Sequence, residues 1–212
     1  MLSESYIYYL TSEDTRNWRQ LLKFGKTLDI NERRKFLWSW PNEGNLREFQ
    51  LVLKQLSIDT LLSIGCGNGL LEWILKQSIG VNVFGLEFDR AWWQSKYAIR
   101  SFIPLNFYED LKQTKSENDS RNMLLECCPR LEWNFALLFC YFNNRIAFAN
   151  YLNMYKGNYI IIIGPNSDSN IHTNPSALEP NFPNNEWHLH VTLKLDENDV
   201  VAFYKKITKN IA

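Results

Sequence analysis

A short apolar segment that runs directly into alternating glycines limits the possible fold of this chain more than any other part of it. Residues 60–64 (TLLSI) are followed by glycine at positions 65, 67 and 69, and an apolar helical pattern begins directly afterwards. Because glycine has no Cβ, its backbone can turn sharply and approach another group closely. The sequence therefore predicts a buried strand, a tight loop and a helix, the opening unit of a parallel α/β sheet.

The same alternation continues along the chain. Further apolar strand patterns cover residues 81–86, 135–142 and 159–164, and helical patterns cover 69–78, 90–100 and 144–155. Continuous apolar strands separated by helices are typical of a parallel sheet that is covered on both faces. Residues 187–195 and 200–207 alternate around a turn and predict an antiparallel hairpin that closes the sheet. We therefore predict an α/β fold with a mostly parallel sheet.

The third strand has two candidates. Residues 103–108 follow the preceding helix very closely, whereas residues 123–127 leave the polar segment 112–122 as an inserted linker. We favour the second candidate.

Residues 1–56 are expected to form helices. Residues 12–15 resemble a helix start, and the apolar stripe after them stops at Gly25. A second helix, 31–40, should end at Pro41, and a third should begin near Asn42 or Asn45. The chain has 212 residues, a length that favours one domain. We expect a single domain over 1–212, with 1–56 as a helical extension over the site and 57–212 as the α/β core.

Composition excludes some classes of protein. Basic and acidic residues number 23 each, and a balanced chain argues against broad capture of nucleic acid or of an acidic membrane. The four cysteines contain no CxxC pair, which favours a reduced, cytoplasmic protein, with the nucleus as the other possibility. The first residues do not resemble a signal peptide, and no apolar run approaches the roughly 20 residues needed to span a bilayer.

The glycine loop is a candidate ligand site. In the dinucleotide pattern GxGxxG the third glycine would fall at position 70, which is Leu70, and the loop has no basic neighbour to hold a diphosphate. Glu87, at the end of the next predicted strand, lies about twenty residues beyond the loop, where a carboxylate suits a ribose diol. The pattern therefore favours a nucleoside ligand without a phosphate clamp.

Two motifs carry a family resemblance. The segments LLSIGCGNGLLEWIL and VFGLEFD resemble motifs I and II of the Rossmann-like (class I) S-adenosylmethionine-dependent methyltransferase superfamily. The resemblance covers roughly residues 58–163, and the predicted C-terminal hairpin is similar to the reversed final strands of that fold. It implies a Rossmann-like three-layer sandwich, S-adenosylmethionine as the cofactor, and methyl transfer as the activity.

The resemblance also implies a set of site residues. The glycine loop would pass under the amino-acid part of the cofactor, Glu87 would accept the ribose hydroxyls, and Phe88 and Asp89 would lie beside the adenine. The strand end at residues 140–142 would face the methyl group. The implied cofactor-binding residues are Ile64, Gly65, Cys66, Gly67, Asn68, Gly69, Glu87, Phe88, Asp89, Cys140 and Tyr141.

The methyl acceptor is left open by the sequence. The Asn/Asp-Pro-Pro-aromatic motif of enzymes that methylate bases would fall at residues 140–144, which read CYFNN. A glutamate pair typical of arginine methylation is not evident either. Tyr141 and Asn143 are the best candidates for positioning an acceptor, which could be a small molecule, RNA or protein, although Asn143 and Asn144 could equally cap the next helix. The alternative is a non-catalytic methyltransferase-like binding or scaffold subunit.

Three other features of the sequence give weaker indications of a binding site. His188 and His190 would share one face of a strand, with His172 nearby, but we expect no metal site. Basic residues near Trp38 and Trp40 make contact with RNA possible but not favoured. Aromatic residues make up 15% of the chain, including eight tryptophans, so an aromatic surface could bind a protein partner. In the pair Trp92-Trp93, one side chain should be core and the other should reach the cofactor edge.

Overall fold

A seven-stranded sheet forms the centre of the molecule. The computed structural model describes residues 2–108, residue 124, residues 134–166 and residues 171–207. The strands are β1 Thr60–Ile64, β2 Asn82–Glu87, β3 Leu105–Phe107, β4 Ala136–Cys140, β5 Tyr159–Pro165, β6 Trp187–Lys194 and β7 Asp199–Lys206. Their order is β3-β2-β1-β4-β5-β7-β6. The first five run parallel, and β7 is antiparallel to both of its neighbours.

Helices cover both faces of this sheet. They are α1 Leu2–Thr11, α2 Trp18–Gly25, α3 Ile30–Phe36, α4 Glu43–Gln55, α5 Leu70–Ile79, α6 Arg90–Trp93 and α7 Arg145–Met154. Leu61 packs in one core with α1 to α5, whereas its neighbour Leu62 packs in a second core with α7. Successive strand residues point to opposite faces, so each central strand contributes to both cores. The predicted α/β three-layer fold is therefore confirmed, while its single-domain boundaries stay a prediction.

The N-terminal helices differ in their limits from the predicted ones. The first turn of α2 is capped by Asn17, whose side chain accepts from the Gln20 N–H, and not by residues 12–15, which follow α1 as a turn. Helix α3 ends at Phe36 because Leu37 is already extended. The extended segment lets the Trp40 ring occupy the space beside Gly25, where a Cβ would lie 1.8 Å from the indole.

The preferred position of the third strand is wrong. The neighbour of β2 is β3, within the candidate 103–108, with Gly85 paired to Leu105 and Glu87 paired to Phe107. Helix α6 is a single turn rather than the predicted 90–100, so the chain can return to the sheet edge within residues 88–104. The other candidate, 123–127, lies outside the described residues except for the buried Leu124.

Candidate functional site

A cavity of about 240 Å³ lies where β1 and β4 end, at the carboxyl edge of the parallel strands. Open parallel sheets bind ligands at this edge because the loops there diverge to opposite faces. Its walls are residues 34–38, which are the last turn of α3 and the two residues after it, residues 65–68 of the glycine loop, Leu71 and Glu72 of α5, Trp93, and residues 140–141. Residues 34–38 of the N-terminal helical segment therefore form one wall of the cavity.

The glycine loop needs glycine at each of its three positions. Gly65, Gly67 and Gly69 have φ of +65°, +65° and +77°, a region that other residues rarely adopt. At Gly69 a Cβ would also lie 2.4 Å from Ile103 Cγ1. The Gly65 N–H donates to Leu86 O over 2.8 Å, and the Gly69 N–H donates to Cys66 O over 3.1 Å. These N–H groups are used within the protein and do not form a cradle for phosphate.

Asn68 holds the loop in place. Its side chain is buried, with Nδ2 donating to Phe36 O over 2.8 Å and Oδ1 accepting from the Leu70 N–H over 2.9 Å. The first bond ties the loop to the end of α3, and the second satisfies an N–H in the first turn of α5. Both ends of the Asn68 side-chain amide are therefore used to hold the loop in place. Asn68 shapes the cavity by fixing the loop.

Glu87 lies over the same loop. The Gly67 N–H donates to Glu87 Oε1 over 2.6 Å, and the Trp93 indole lies close enough to the carboxylate to lower its pKa. Burial raises the pKa of Glu87 above its usual range, against the opposing effect of these two groups. Trp93 belongs to the wall of the cavity and Glu87 does not. The indole thus contributes to the cavity wall and also lies beside the carboxylate.

The residues after Glu87 lie at the surface. Phe88 is exposed and stacks on Tyr108 with 6.2 Å between ring centroids. The Asp89 carboxylate caps α6 by accepting from the Trp92 N–H over 2.8 Å. Trp92 is exposed and Trp93 is half-buried, so the expectation that one of the pair is core is wrong. A single surface turn has no face that could enter the core.

Sequence reasoning missed Glu72, the buried carboxyl group of the cavity. Only 1% of the residue is exposed, and its Oε1 accepts from the Ser63 hydroxyl over 2.6 Å. Its Oε2 is buried and has no hydrogen-bond partner. Burial is the main cause that raises the pKa of Glu72 to about 7. The available signal was one acid inside the otherwise apolar segment LLEWIL.

Tyr141 occupies an unusual backbone position at the end of β4. Its φ is +51°, which is rare for a side chain of this size and is found often at functional sites. The ring stacks on Trp38 with 5.4 Å between centroids. The phenol donates a hydrogen bond to Asp199 Oδ1. Burial is the largest cause that raises the pKa of Tyr141, and the bond to Asp199 adds to it.

Asp199, the first residue of β7, is a second carboxyl group that the sequence did not indicate. It is 4% exposed, and burial raises its pKa. The Ser39 hydroxyl lies beside it and lowers the pKa, although its geometry is too poor for a regular hydrogen bond. The sequence offered no signal for the pair with Tyr141, because the two residues are 58 positions apart.

A second cavity of about 320 Å³ adjoins the first. Trp38, Tyr141 and Arg34 belong to the walls of both cavities. The other walls include Asp199 and the ion pair of Arg33 Nη2 with Asp196 Oδ2, whose atoms are 2.8 Å apart. The stacked rings of Trp38 and Tyr141 therefore stand between a cavity over the glycine loop and a cavity over the β6–β7 turn.

The mostly parallel sheet and its reversed seventh strand are the features that the resemblance implied. Solved structures that match the chain include an O-methyltransferase from Bacillus cereus in complex with SAH (13% identity, 96% of each chain covered, TM-score 0.47). A ribosomal protein L11 methylase from Lactobacillus delbrueckii subsp. bulgaricus also matches (12% identity, 79% of this chain and 80% of that chain, TM-score 0.42). Each of these matches is a likeness in structure at 13% identity or less. No protein-family model matches the chain, and no curated protein matches it in sequence.

Asn143 and Asn144 lie in the segment 140–144, where the resemblance would place an acceptor motif. The Asn144 side chain accepts from the Ala147 N–H over 3.0 Å and so caps α7. Capping was one of the two roles predicted for this residue. Asn143 is exposed, forms a backbone bridge with Asn174, and belongs to neither of the two cavities described above. Cys140 does line the first cavity, and burial raises the pKa of its thiol well above the usual range.

Across the described ranges, no group of three or more His, Cys, Asp or Glu side chains could hold a metal ion. His188 and His190 are exposed, and a register shift between Leu189 and Val191 interrupts the alternation of β6 there. None of the helices in the described part of the chain combines the length and apolar character that crossing a membrane requires.

Proposed function

We propose that this protein binds S-adenosylmethionine and transfers its methyl group to an acceptor. The observation that carries the proposal is the bond between the Gly67 N–H and Glu87 Oε1, directly beside the cavity over the glycine loop. It brings the two predicted cofactor elements together at the ligand-binding edge of the sheet. When bound, the cofactor supplies a methyl group on a positively charged sulfur.

The residues present fit such a cofactor. The backbone at Gly65–Gly67 would pass under its amino-acid part, and the buried oxygen of Glu72 offers an acceptor at the inner wall. Glu87 would accept the ribose hydroxyls once the Trp93 indole has moved off the carboxylate. Phe88 and Asp89 would border the adenine, on the exposed side of Glu87. The absence of a phosphate cradle agrees with a ligand that has no phosphate.

The second cavity is the proposed acceptor site. Its contact with the first cavity runs along the rings of Trp38 and Tyr141, so an acceptor packed there would lie beside the end of β4. Tyr141 would position the acceptor rather than react, because its phenol already donates to Asp199. The Asp199 carboxyl, with its raised pKa, is suited to take up the proton that the acceptor loses.

Two measurements on the unmodified protein test the proposal. Titration calorimetry with S-adenosylhomocysteine should detect one site, and the ligand should raise the melting temperature because it binds the folded state. Incubation with methyl-labelled cofactor and a cell extract should then transfer label to an acceptor. The absence of binding up to about 1 mM ligand would reject the cofactor site.

A non-catalytic binding or scaffold subunit is the second candidate. The observation in its favour is that the Trp93 indole already lies beside the Glu87 carboxylate, where the ribose would bind. If the fold serves as a scaffold, wild-type protein should show no S-adenosylhomocysteine binding, whereas Trp93→Ala should restore some. Binding by wild-type protein together with label transfer would exclude this candidate.

A further inference from the structure

Glu72 presents an unpaired carboxylate oxygen at the inner wall of the first cavity. The residue is 1% exposed, its Oε1 is occupied by Ser63, and its Oε2 has no partner. Leaving a buried polar atom unpaired is destabilising by about 1–3 kcal/mol, and more when the atom carries charge. A group in this position that serves only packing would be better replaced by an apolar side chain. Its presence in the cavity wall therefore points to a ligand.

The chemistry of the surrounding wall identifies the missing partner. In the described part of the chain, no cation is paired with Glu72, and the neighbouring groups are the Ser63 hydroxyl, the Cys140 thiol and the Glu87 carboxyl. The basic residues in the wall are Arg34, which lies over the Trp38 ring, and Lys35, which pairs with Glu32. A small cationic donor delivered by the ligand would satisfy the open oxygen.

We propose that Glu72 and Ser63 form a subsite for a primary ammonium group, which on the proposed function is the amino group of the cofactor's amino-acid part. The ammonium group donates to Glu72 Oε2, while the Ser63 hydroxyl holds Oε1. A charge-assisted hydrogen bond of this kind is about twice as strong as a neutral one. The subsite therefore selects ligands that keep this amine, and it orients the amino-acid end of the ligand inward.

The subsite also predicts how binding depends on pH. Glu72 must be ionised to pair with an ammonium group, and burial, with Glu87 adding to it, raises the pKa of Glu72 to about 7. The facing groups on β4 and β1, Cys140 and Ser63, supply no positive charge. Affinity for the amine-bearing ligand should therefore rise between pH 6 and pH 8, and the rise should vanish when Glu72 is replaced by glutamine.

Calorimetry with two ligands tests the subsite. S-adenosylhomocysteine carries the amine, whereas 5′-methylthioadenosine keeps the adenosine half and lacks the amino acid. In Glu72→Gln we expect S-adenosylhomocysteine to bind at least about tenfold more weakly, a loss of about 1.4 kcal/mol, with methylthioadenosine changed less than about twofold. The control is Glu48→Gln, an exposed glutamate on α4, which should leave both affinities unchanged.

The possible outcomes separate the two proposals. If wild-type protein binds S-adenosylhomocysteine and Glu72→Gln binds it equally well, the subsite is wrong and the cofactor site stands. Equal weakening of both ligands also overturns the subsite, because it shows a general distortion of the site. If wild-type protein binds neither ligand, the cofactor site fails and the subsite with it. The affinities of wild-type protein for S-adenosylhomocysteine and for its des-amino analogue test the same subsite without a variant that could misfold. Equal affinities would overturn the subsite.

Discussion

The backbone N–H of Gly67 donates to the carboxylate of Glu87 over 2.6 Å, and this bond joins the tip of β2 to the loop that follows β1. The loop places the donor because Gly67 can adopt a φ of +65°. Two motifs that are twenty positions apart in the chain thus form one polar unit. The proposed cofactor site depends on this unit and on the cavity beside it.

Replacing Glu87 with alanine should weaken cofactor binding. The variant removes the proposed ribose acceptor and leaves the Gly67 N–H without its partner. We expect affinity for S-adenosylhomocysteine to fall at least about tenfold, and the free energy of unfolding to fall by about 1 kcal/mol. Calorimetry and urea unfolding measure the two effects. Exposed Glu48→Ala is the control, and unchanged affinity in Glu87→Ala would contradict the assignment.

Two glycines with similar backbone angles should respond differently to alanine. Gly80 has a φ of +74° and no atom within 4 Å of an added Cβ. Gly80→Ala should therefore lower the free energy of unfolding only by the backbone strain of the left-handed conformation, about 1 kcal/mol. Gly69 has a φ of +77°, and its Cβ would meet Ile103 at 2.4 Å. We therefore expect Gly69→Ala to lower the free energy of unfolding by about 3 kcal/mol or more. If urea unfolding shows equal losses of stability for the two variants, the Ile103 side chain can move away from the added Cβ without an energetic cost.

The pH dependence of stability should change in Glu72→Gln without any ligand. Burial raises the pKa of Glu72 from 4.5 to about 7 in the folded protein. Between these values the folded state keeps a proton that the unfolded chain has released. The wild-type free energy of unfolding should therefore decrease as pH rises, by about 1.4 kcal/mol per pH unit within this window.

Glutamine at position 72 lacks this titration. Relative to wild type, Glu72→Gln should gain about 2–3 kcal/mol between pH 5 and pH 8. Urea unfolding over this pH range measures the difference. Parallel curves for the two proteins would show that Glu72 titrates near its ordinary pKa in the folded state.

Tyr141 and Asp199 should be energetically coupled. Tyr141→Phe removes the donor of a buried carboxyl group, which should cost about 1–3 kcal/mol of stability. Asp199→Asn removes the acceptor charge. The double variant should lose less than the sum of the single losses, by about 0.5–3 kcal/mol. Additive losses in urea unfolding would mean that the hydrogen bond contributes nothing to the folded state.

Trp93→Phe should strengthen cofactor binding. The variant keeps a ring over the loop but removes the indole N–H that lies beside Glu87, where the ribose would bind. One hydrogen bond contributes about 0.5–1.5 kcal/mol, so S-adenosylhomocysteine should bind about two- to tenfold more tightly. Exposed Trp92→Phe is the matched control. Weaker binding in Trp93→Phe would show that the indole itself contacts the ligand.

Local patterns predicted most of the elements. β1 at Thr60–Ile64 begins and ends where the sequence indicated. Helix α5 is shifted by one residue at both ends, and β5 is one residue longer at its end. The preferred position of the third strand was wrong because the observed strand, Leu105–Phe107, has only three residues and too little apolar pattern to be recognised. Only its pairing with β2, beside Gly85, makes it a strand.

The sequence by itself determined the parallel sheet and the glycine loop, because strand periodicity and the need for positive φ are properties of a few neighbouring residues. The tertiary structure alone decided that Glu72 faces Ser63 in the cavity and that Tyr141 meets Asp199. The second contact exists because β7 runs antiparallel to β5, so that its first residue, Asp199, lies at the edge of the sheet where β4 ends. Burial then changes the pKa of these carboxyl groups, and burial depends on the packing of the whole chain.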